Sequence, residues 1–429
     1  MSAVPANTAP ALTQEQLLDR YKSHLLNVFG TPQAVLVRGE GSRVWDADGE
    51  ELLDLLGGIA VNVLGHAHPA WSRAVSEQAQ TLSHVSNFFT SPQQIELADR
   101  LLGIAGAPHG SHVFFANSGA EANEAAFKLA RRNGRHNPGP DGPRTKVVAV
   151  NGSFHGRTMG ALALTAKKAY REPFEPLPGG VIHIDPTLEA LEAVMDATVS
   201  AVIVEPIRGE QGVHVLPEGW LQRARELTRE HAALLIVDEV QTGIGRTGEW
   251  LAAPAQLNPG ELPDAITLAK GLGGGFPIGA MITVGQEVSD LLTPGQHGTT
   301  FGGNPLATAA GLATLNVIQD EDLMTNVRSV SKVLADGLNG LEDVQEVRDH
   351  GFLIGADLSD QRPESEQARS PLGAAVVAAA RSQGFIINST GAATLRLAPA
   401  LNLSQDQAEA FVNALPGIIT QARQAAEQA

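Results

Sequence analysis

The chain has 429 residues, of which 43% are hydrophobic and none is cysteine, so it has enough core-forming material for two or three globular domains and no disulfide or thiolate metal site. Its 30 Lys and Arg residues against 47 Asp and Glu residues give a formal net charge of −17. A charge of that sign repels phosphate backbones and anionic membranes, so we expect neither nucleic acid nor a membrane as a partner.

The first 70 residues predict an amino-terminal arm together with part of a small domain. Residues 1–12 are rich in Ala and Pro and lack the basic and apolar blocks of a signal peptide, so we expect them to be disordered and the protein to be cytoplasmic. A helix is predicted over residues 13–29. Short strands that turn at Asp48 and Gly49 follow it.

From Trp71 onward, long amphipathic helices alternate with short apolar runs. This alternation is typical of a mainly parallel sheet covered by helices, so we predict an α/β fold with a large domain over residues 71–310. Residues 311–429 predict a smaller α+β domain, and composition predicts loops at residues 133–145 and 359–371. The apolar runs predicted as strands are HVFFA at 112, KVVAV at 146, VIHI at 181, SAVIVEP at 200, AALLIVD at 232 and DAITLA at 264.

A candidate anion-binding element lies in FFANSGAEANEAAFKLARR, residues 114–132. After a predicted strand, the small residues Ser118, Gly119 and Ala120 form a turn at the start of a helix. The first N–H groups of a helix have no partner within it, so this turn offers N–H groups and a hydroxyl to an anion. An ordinary strand-to-helix turn with a Ser cap explains the same residues.

Two polar residues at strand ends indicate a bound cofactor. In LLIVDEVQTGIGRTG an apolar run ends at Asp238, and in ITLAKGLGGGF Lys270 stands before a run of glycines. Open α/β sheets bind ligands at the carboxyl ends of their strands. An apolar run followed by Asp-Glu is also typical of the Walker B strand of an ATPase, which makes a nucleotide-hydrolysing module the alternative. That alternative requires a phosphate loop, and the chain contains no Gly-Lys pair.

Several ordered motifs make the chain resemble the class III, fold-type-I aminotransferases that use pyridoxal 5'-phosphate (PLP), and most closely the acetylornithine aminotransferases of arginine biosynthesis. The resemblance implies a homodimer that exchanges an amino group between N2-acetylornithine and 2-oxoglutarate. Succinyldiaminopimelate, ornithine and 4-aminobutyrate are alternative donors within the same class. The motifs are GGIAVNVLGHAHP, FFANSGAEANEAAFKLAR, FHGRT, VEPIRGEQGV, IVDEVQTGIGRTG, ITLAKGLGGGFPIG, HGTTFGGNP and LRLAPAL.

The resemblance implies roles for the residues that contact the cofactor ring. Lys270 would bind PLP covalently and, once released, carry a proton, because a neutral lysine amine is both a nucleophile and a base. Asp238 would keep the ring nitrogen protonated, so that the ring can accept electrons. Gln241 would lie near the ring hydroxyl, and Phe154 would stack on the ring.

The phosphate of PLP would be bound by the helix start described above. Ser118, Gly119 and Ala120 would supply its donors, and Thr300 of the partner subunit would complete the site. The resemblance therefore implies that each active site needs two copies of the chain.

The resemblance also implies roles for residues that contact the substrate. Arg157 resembles the arginine that binds a substrate carboxylate, a task that suits the planar guanidinium. Arg396 would bind the α-carboxylate of glutamate, and Glu210 would neutralise that arginine while the ω-amine donor is bound. A static ion pair explains the same two residues. Thr299 would offer a hydroxyl to the substrate, and Glu205 would support the ring-binding carboxylate.

Four residues near these motifs receive no role in the reaction. His66, His68 and His155 are expected to be structural, because a lone histidine more often belongs to the architecture than to catalysis. Arg208 stands where the family motif VEPIQGE has Gln, a difference at the rim of the substrate pocket.

Overall fold

The computed structural model describes residues 12–360, 362 and 371–427. The predictions for residues 1–11 and for most of the loop at 359–371 fall outside these ranges. Within them, no helix is both long and apolar enough to cross a membrane.

The strands begin and end as follows. In chain order they are β1 (Leu36–Glu40), β2 (Arg43–Asp46), β3 (Glu51–Asp54), β4 (His112–Ala116), β5 (Lys146–Val150), β6 (Val181–Ile184), β7 (Val199–Val204), β8 (Ile207–Arg208), β9 (His214–Val215), β10 (Leu234–Asp238), β11 (Ala265–Leu268), β12 (Gly279–Thr283), β13 (Val344–His350), β14 (Leu353–Leu358), β15 (Phe385–Ile386), β16 (Asn388–Ser389) and β17 (Thr394–Leu397).

The α-helices are numbered in the same way. They are α1 (Gln14–His24), α2 (Gly57–Ala60), α3 (Pro69–Thr81), α4 (Pro92–Ile104), α5 (Gly119–His136), α6 (Met159–Leu164), α7 (Lys168–Arg171), α8 (Leu188–Val194), α9 (Trp220–Glu230), α10 (Gln286–Ser289), α11 (Pro305–Asp320), α12 (Leu323–Asn339), α13 (Leu372–Ser382) and α14 (Gln405–Glu427).

A seven-stranded sheet with the order β4-β12-β11-β10-β7-β5-β6 forms the centre of the described chain. Its strands run parallel except β12, which pairs antiparallel with both β11 and β4. Every residue of β7 and β10 is buried, which explains their continuous apolar runs, since both faces of the sheet are covered. The predicted α/β fold with a mainly parallel sheet is confirmed, although β12 is not among the predicted strands.

Helix α5 packs on this sheet through small side chains. Its N-cap is Ser118, whose side chain accepts a hydrogen bond from the amide of Glu121. The buried positions include Ala125, Ala126 and Ala130, which join a core cluster with side chains of the sheet. Because those side chains are small, the start of the helix lies close to the strand ends.

The described chain also forms two four-stranded sheets. The first has the order β1-β2-β3-β15 and the second the order β13-β14-β17-β16. Strand β15 pairs in parallel with β3, so a late segment of the chain completes the sheet that the early strands begin. The division into domains at residues 70 and 310 stays a prediction.

The first helix is shorter than the sequence predicts. It begins at Gln14 behind a capping box on Thr13, but it ends at His24 rather than at residue 29. Near that end the side chains of Ser23 and His24 bond to carbonyl groups of the preceding turn, a competition that weakens helix ends. The apolar residues beyond it are exposed, including Phe29 at 90%, and so do not extend the buried stripe of a helix.

Candidate active site

Two neighbouring strand ends bring the predicted lysine and aspartate together. Asp238 is the last residue of β10, and Lys270 opens a short 3-10 helix just beyond β11. These strands are parallel neighbours, so both residues reach the same edge of the sheet. Lys270 has a φ of 38°, in the left-handed region that non-glycine residues rarely occupy. Strain of this kind clusters at functional sites.

A cavity of about 420 Å³, which we call the central pocket, lies at this edge. Thr299 does not line it directly, but its hydroxyl accepts a hydrogen bond of 2.9 Å from Asn117, which does. Thr300 is exposed in the single chain. Arg396 reaches the pocket through its partner Glu210. The predicted site residues that line it are Ser118, Gly119, Ala120, Phe154, Arg157, Glu205, Glu210, Asp238, Gln241 and Lys270.

The carboxylate of Asp238 is buried and held by three donors. One oxygen accepts from Asn123 Nδ2 at 2.7 Å and lies 2.8 Å from His155 Nδ1, while the other accepts from the amide of Val240 at 3.0 Å. The hydroxyl of Thr267 donates to Asn123 Oδ1 at 2.8 Å, which fixes the orientation of that amide. Together these donors hold the carboxylate in one orientation.

The histidine beside this carboxylate carries a shifted pKa. Burial by itself lowers the pKa of His155, but the hydrogen bond and charge of Asp238, with a contribution from Glu205, outweigh burial and raise it. The ring of His155 thus pairs with the buried aspartate and lines the central pocket. By contrast, His66 pairs with Asp54 away from the pocket.

Lys270 has the electrostatics of a nucleophilic amine. Burial lowers the pKa of Lys270 to about 8, and the positive charge of Arg396 adds to this effect. The carboxylates of Glu210, Glu205 and Asp238 oppose it and keep the pKa from falling further. A lysine with this pKa is neutral far more often near physiological pH than an exposed one.

Glu205 is a second buried carboxyl group in the pocket wall. It is 5% exposed and accepts a hydrogen bond of 2.9 Å from the amide of Phe154. Burial, helped by the charge of Asp238, raises the pKa of Glu205 to about 7 against the opposing charge of His155. A carboxyl group with this pKa is populated in both protonation states near neutral pH.

Glu210 and Arg396 form an ion pair at the edge of the pocket. Arg396 Nη1 donates to Glu210 Oε1 at 2.5 Å, and Arg396 Nε donates to Asn388 Oδ1 at 3.2 Å. The arginine side chain is 1% exposed and the glutamate side chain 37%. Burial raises the pKa of Glu210, but the charge and hydrogen bond of Arg396 outweigh it and lower that pKa. The buried arginine is therefore fixed, and the glutamate is the partner that faces solvent.

The start of α5 offers amides to an anion. The N–H groups of Gly119 and Ala120 are the first of α5 and have no acceptor within the helix. Gly279 in β12 packs against this turn so closely that a Cβ there would lie 2.3 Å from the carbonyl oxygen of Ser118. The carbonyl oxygen of the Gln241 side chain is buried without a partner among the described residues.

These walls fit a flat, anionic cofactor such as PLP. The free amides of α5, the buried carboxylate of Asp238, and the side chains of Phe154 and Lys270 all line this one pocket. The aspartate matches a protonated ring nitrogen, and the helix start matches a phosphate.

Arg157 also lines the pocket, but it is exposed. Its guanidinium carbon lies 3.5 Å from the centre of the Tyr170 ring and 5.6 Å from that of Phe154. No carboxylate in the described ranges pairs with it, so its donors are available to a substrate. Stacking on an aromatic face holds the guanidinium without using those donors.

A sequence profile of the class-III aminotransferases matches residues 28–419. The chain is a class-III aminotransferase. Curated relatives include acetylornithine aminotransferases from Streptomyces coelicolor, 50% identical over 97% of this chain and 98% of that one, and from Mycolicibacterium smegmatis, 48% identical over 94% and 98%.

Solved structures resemble the aminotransferase over nearly its whole length. An ornithine aminotransferase from Toxoplasma gondii, with PLP at partial occupancy in its active site, aligns with a TM-score of 0.86 at 30% identity, covering 97% of this chain and 96% of that one. N-acetylornithine aminotransferase from Stenotrophomonas maltophilia aligns with a TM-score of 0.79 at 34% identity, covering 95% and 100%.

Two residues that contact Asp238 in the aminotransferase are not identified by the sequence motifs. Asn123 stands between Ala122 and Ala125 on the buried face of α5, and a polar residue on an apolar face is a signal that the sequence does carry. His155 follows Phe154 after β5, and nothing in its spacing shows that it meets the end of β10.

Proposed function

We propose that this chain is a PLP-dependent acetylornithine aminotransferase of arginine biosynthesis. It would convert N2-acetylornithine and 2-oxoglutarate into N-acetylglutamate 5-semialdehyde and glutamate. The observation that carries the substrate assignment is the 50% identity with the Streptomyces coelicolor enzyme over nearly the full length of both chains. Ornithine is the second candidate donor, because the Toxoplasma gondii ornithine aminotransferase has a closely similar structure.

The pocket residues divide the binding of the cofactor between them. PLP, when bound, supplies an electron sink for the bond that breaks at the amino-bearing carbon of the substrate. Lys270 would hold it covalently, Asp238 would keep its ring nitrogen protonated, and Phe154 and Gln241 would contact the ring and its hydroxyl. The residues proposed for the phosphate are Ser118, Gly119, Ala120 and, from the second subunit, Thr300.

The proton that moves during the reaction would be carried by Nζ of Lys270. The lowered pKa of about 8 leaves this amine able to accept a proton near neutral pH and to return it. Asn123 and His155 would act through Asp238, because they hold its carboxylate in one orientation. Glu205 would support the same carboxylate from the side.

The substrate residues would serve two different donors in turn. Arg157 would bind the carboxylate of acetylornithine, with the hydroxyl of Thr299 nearby. Glu210 would neutralise Arg396 while this donor is bound and release the arginine when the α-carboxylate of glutamate arrives. Such a gate lets one pocket accept an ω-amine and an α-amine.

A homodimer in the cytoplasm is part of the proposal. Aromatic side chains are exposed around the loop that carries Thr300, with Phe88 at 92%, Phe89 at 71% and Phe301 at 59%. Asn87 ties the two segments together by donating to the carbonyl oxygen of Thr299 at 3.0 Å. A group of exposed aromatic residues supports a contact surface at this place.

A substrate panel tests the proposed reaction. The holoenzyme would be given 2-oxoglutarate and, one at a time, N2-acetylornithine, N-succinyl-diaminopimelate, ornithine or 4-aminobutyrate, and the glutamate formed would be measured. We expect the highest kcat/KM with acetylornithine. A higher value with another donor would replace the substrate assignment, and no glutamate from any donor would overturn the reaction.

A further inference from the structure

A second cavity of about 580 Å³, which we call the side pocket, adjoins the central pocket. Phe154 and Glu210 line both cavities. Tyr170, whose ring stacks on Arg157 of the central pocket, lines the side pocket. Glu210 therefore lies between the side pocket and the central pocket, which Lys270 lines.

The side pocket contains hydroxyl groups that the fold leaves unpaired. Ser153 is 3% exposed, and its backbone N–H and C=O are paired with Val150 at 3.1 Å and Ala166 at 2.9 Å. Its buried hydroxyl has no partner among the described residues, and neither has the buried hydroxyl of Thr390. Buried polar groups in native proteins are nearly always paired, so these two hydroxyls have hydrogen-bonding capacity left for a ligand.

One lysine and one glutamate line the side pocket. Lys167 lines it, with Nζ 3.5 Å from the hydroxyl oxygen of Tyr170 and 4.7 Å from the centre of that ring. No carboxylate in the described ranges pairs with this lysine. Glu210 is the acid that lines the cavity, and its charge is already engaged by Arg396.

A buried arginine stands behind the same wall. Arg208 is 6% exposed and donates from Nη1 to the carbonyl oxygen of Asn151 at 3.1 Å and to Gln211 Oε1 at 2.9 Å. Asn151 and Gln211 both line the side pocket. This residue is where the chain departs from the family motif, and it adds a second positive charge to the wall.

We propose that the side pocket binds the N-acyl end of the amino donor, and that Lys167 selects an acylated donor over one with a free α-ammonium. This inference rests on the proposed function. When the terminal amine of the donor lies at Lys270, its other end extends past Glu210 toward the side pocket. Acylation turns a cationic ammonium into a neutral amide, whose N–H and C=O match the hydroxyls of Ser153 and Thr390. A free α-ammonium is instead repelled by Lys167.

A pair of lysine variants tests the charge. Lys167→Met should lower the ratio of kcat/KM for acetylornithine to that for ornithine by about three- to ten-fold, mainly because ornithine improves. Lys168→Met is the matched control, since its exposed side chain lies outside the pocket, and it should leave the ratio unchanged. An unchanged ratio in Lys167→Met, or an equal fall in both variants, would overturn the selection by charge.

A binding experiment tests the hydroxyls without any turnover. N-acetylnorvaline carries the acylated end of the donor but no terminal amine, so it cannot react. In calorimetric titrations of the holoenzyme, Ser153→Ala and Thr390→Val should each weaken its binding by about five-fold. The exposed Ser329→Ala serves as control and should bind as the wild type does. Removing the Ser153 hydroxyl breaks no hydrogen bond of the described chain, so this variant is expected to fold.

The two proposals fail in different ways. Wild-type enzyme that does not turn over acetylornithine would refute the proposed function. Wild-type enzyme that does, with unchanged N-acetylnorvaline affinity in both hydroxyl variants, would refute the acyl subsite alone.

Discussion

Replacing Glu210 by Gln removes the charge opposite Arg396 and keeps the shape of the side chain. A hydrogen bond to a charged group contributes about 1.5 to 3 kcal/mol. Because the Glu210 side chain is 37% exposed, solvent screens the pair, and we expect the lower end of that range. About 1.5 kcal/mol corresponds to roughly a ten-fold change in a ratio of rates. If Glu210 is a gate, this change favours glutamate over acetylornithine, because Arg396 is then always available.

Rapid mixing separates the two half-reactions. Each donor is mixed with the PLP form of the enzyme, and the change in cofactor absorbance gives its rate. Glu218→Gln is the control, since this glutamate is exposed in the loop before α9. We expect the glutamate-to-acetylornithine rate ratio to rise about ten-fold in Glu210→Gln and to stay constant in the control. Equal losses with both donors would show that the pair is a static ion pair.

The same variant has a second, independent signature in its pH dependence. The charge of Glu210 raises the pKa of Lys270, which burial holds at about 8. Without that charge the pKa of Lys270 falls, and the neutral amine persists to lower pH. The acid limb of the acetylornithine half-reaction should therefore move to lower pH, and a shift to higher pH would contradict the electrostatic account.

Further variants probe the rest of the site. Lys270→Ala should abolish turnover, and borohydride reduction of the wild-type holoenzyme with peptide mapping should find the cofactor on Lys270 and on no other lysine. Mixing Lys270→Ala subunits with Thr300→Ala subunits should restore activity through hybrid dimers with one intact site, and no recovery after proven subunit exchange would count against a shared site. Asn123→Ala leaves Asp238 with one donor fewer and should cost the cofactor-free protein about 1 to 3 kcal/mol in denaturant unfolding, whereas an unchanged free energy would mean that this bond contributes nothing. The pKa of Lys270 lies at about 8 in the folded chain against 10.5 for an ordinary lysine. Between these values the unfolded chain binds a proton that the folded chain lacks, so the free energy of unfolding rises with pH. Lys270→Met should therefore raise the Tm of the cofactor-free protein at pH 7, and this gain in Tm should fade toward pH 10.5. A gain in Tm that does not depend on pH would refute the link between the lowered pKa of Lys270 and stability.

Most of the central sheet follows from hydrophobic patterning, because buried parallel strands are short apolar runs between helices. The predicted runs at 112, 146 and 181 coincide with β4, β5 and β6. Strand β12 gives no such signal. Its residues GAMIT include Gly and Thr, and its antiparallel pairing with β11 needs no intervening helix, so the alternation that identifies the other strands does not mark it.

The site shows the same division between local and long-range information. Lys270 and Asp238 are visible in the sequence because each ends an apolar run beside glycines or polar residues. The contact of His155 with Asp238 depends on the order of β5, β7 and β10 in the sheet, and strand order is not written in any local pattern. Asn123 is an intermediate case. The local sequence shows that it is a polar residue on a buried helix face, but it does not show that its partner is Asp238.

The pairing of β3 with β15 has a consequence for synthesis. Leu53 lies opposite Phe385, so about 330 residues must be made before the first sheet acquires its last strand. At a translation rate of about 5 to 20 residues per second, β3 waits roughly 15 to 65 seconds with one edge unpaired. An open strand edge is a template for pairing with other chains. The nascent polypeptide therefore passes through an aggregation-prone interval that ends only when the carboxy-terminal segment leaves the ribosome.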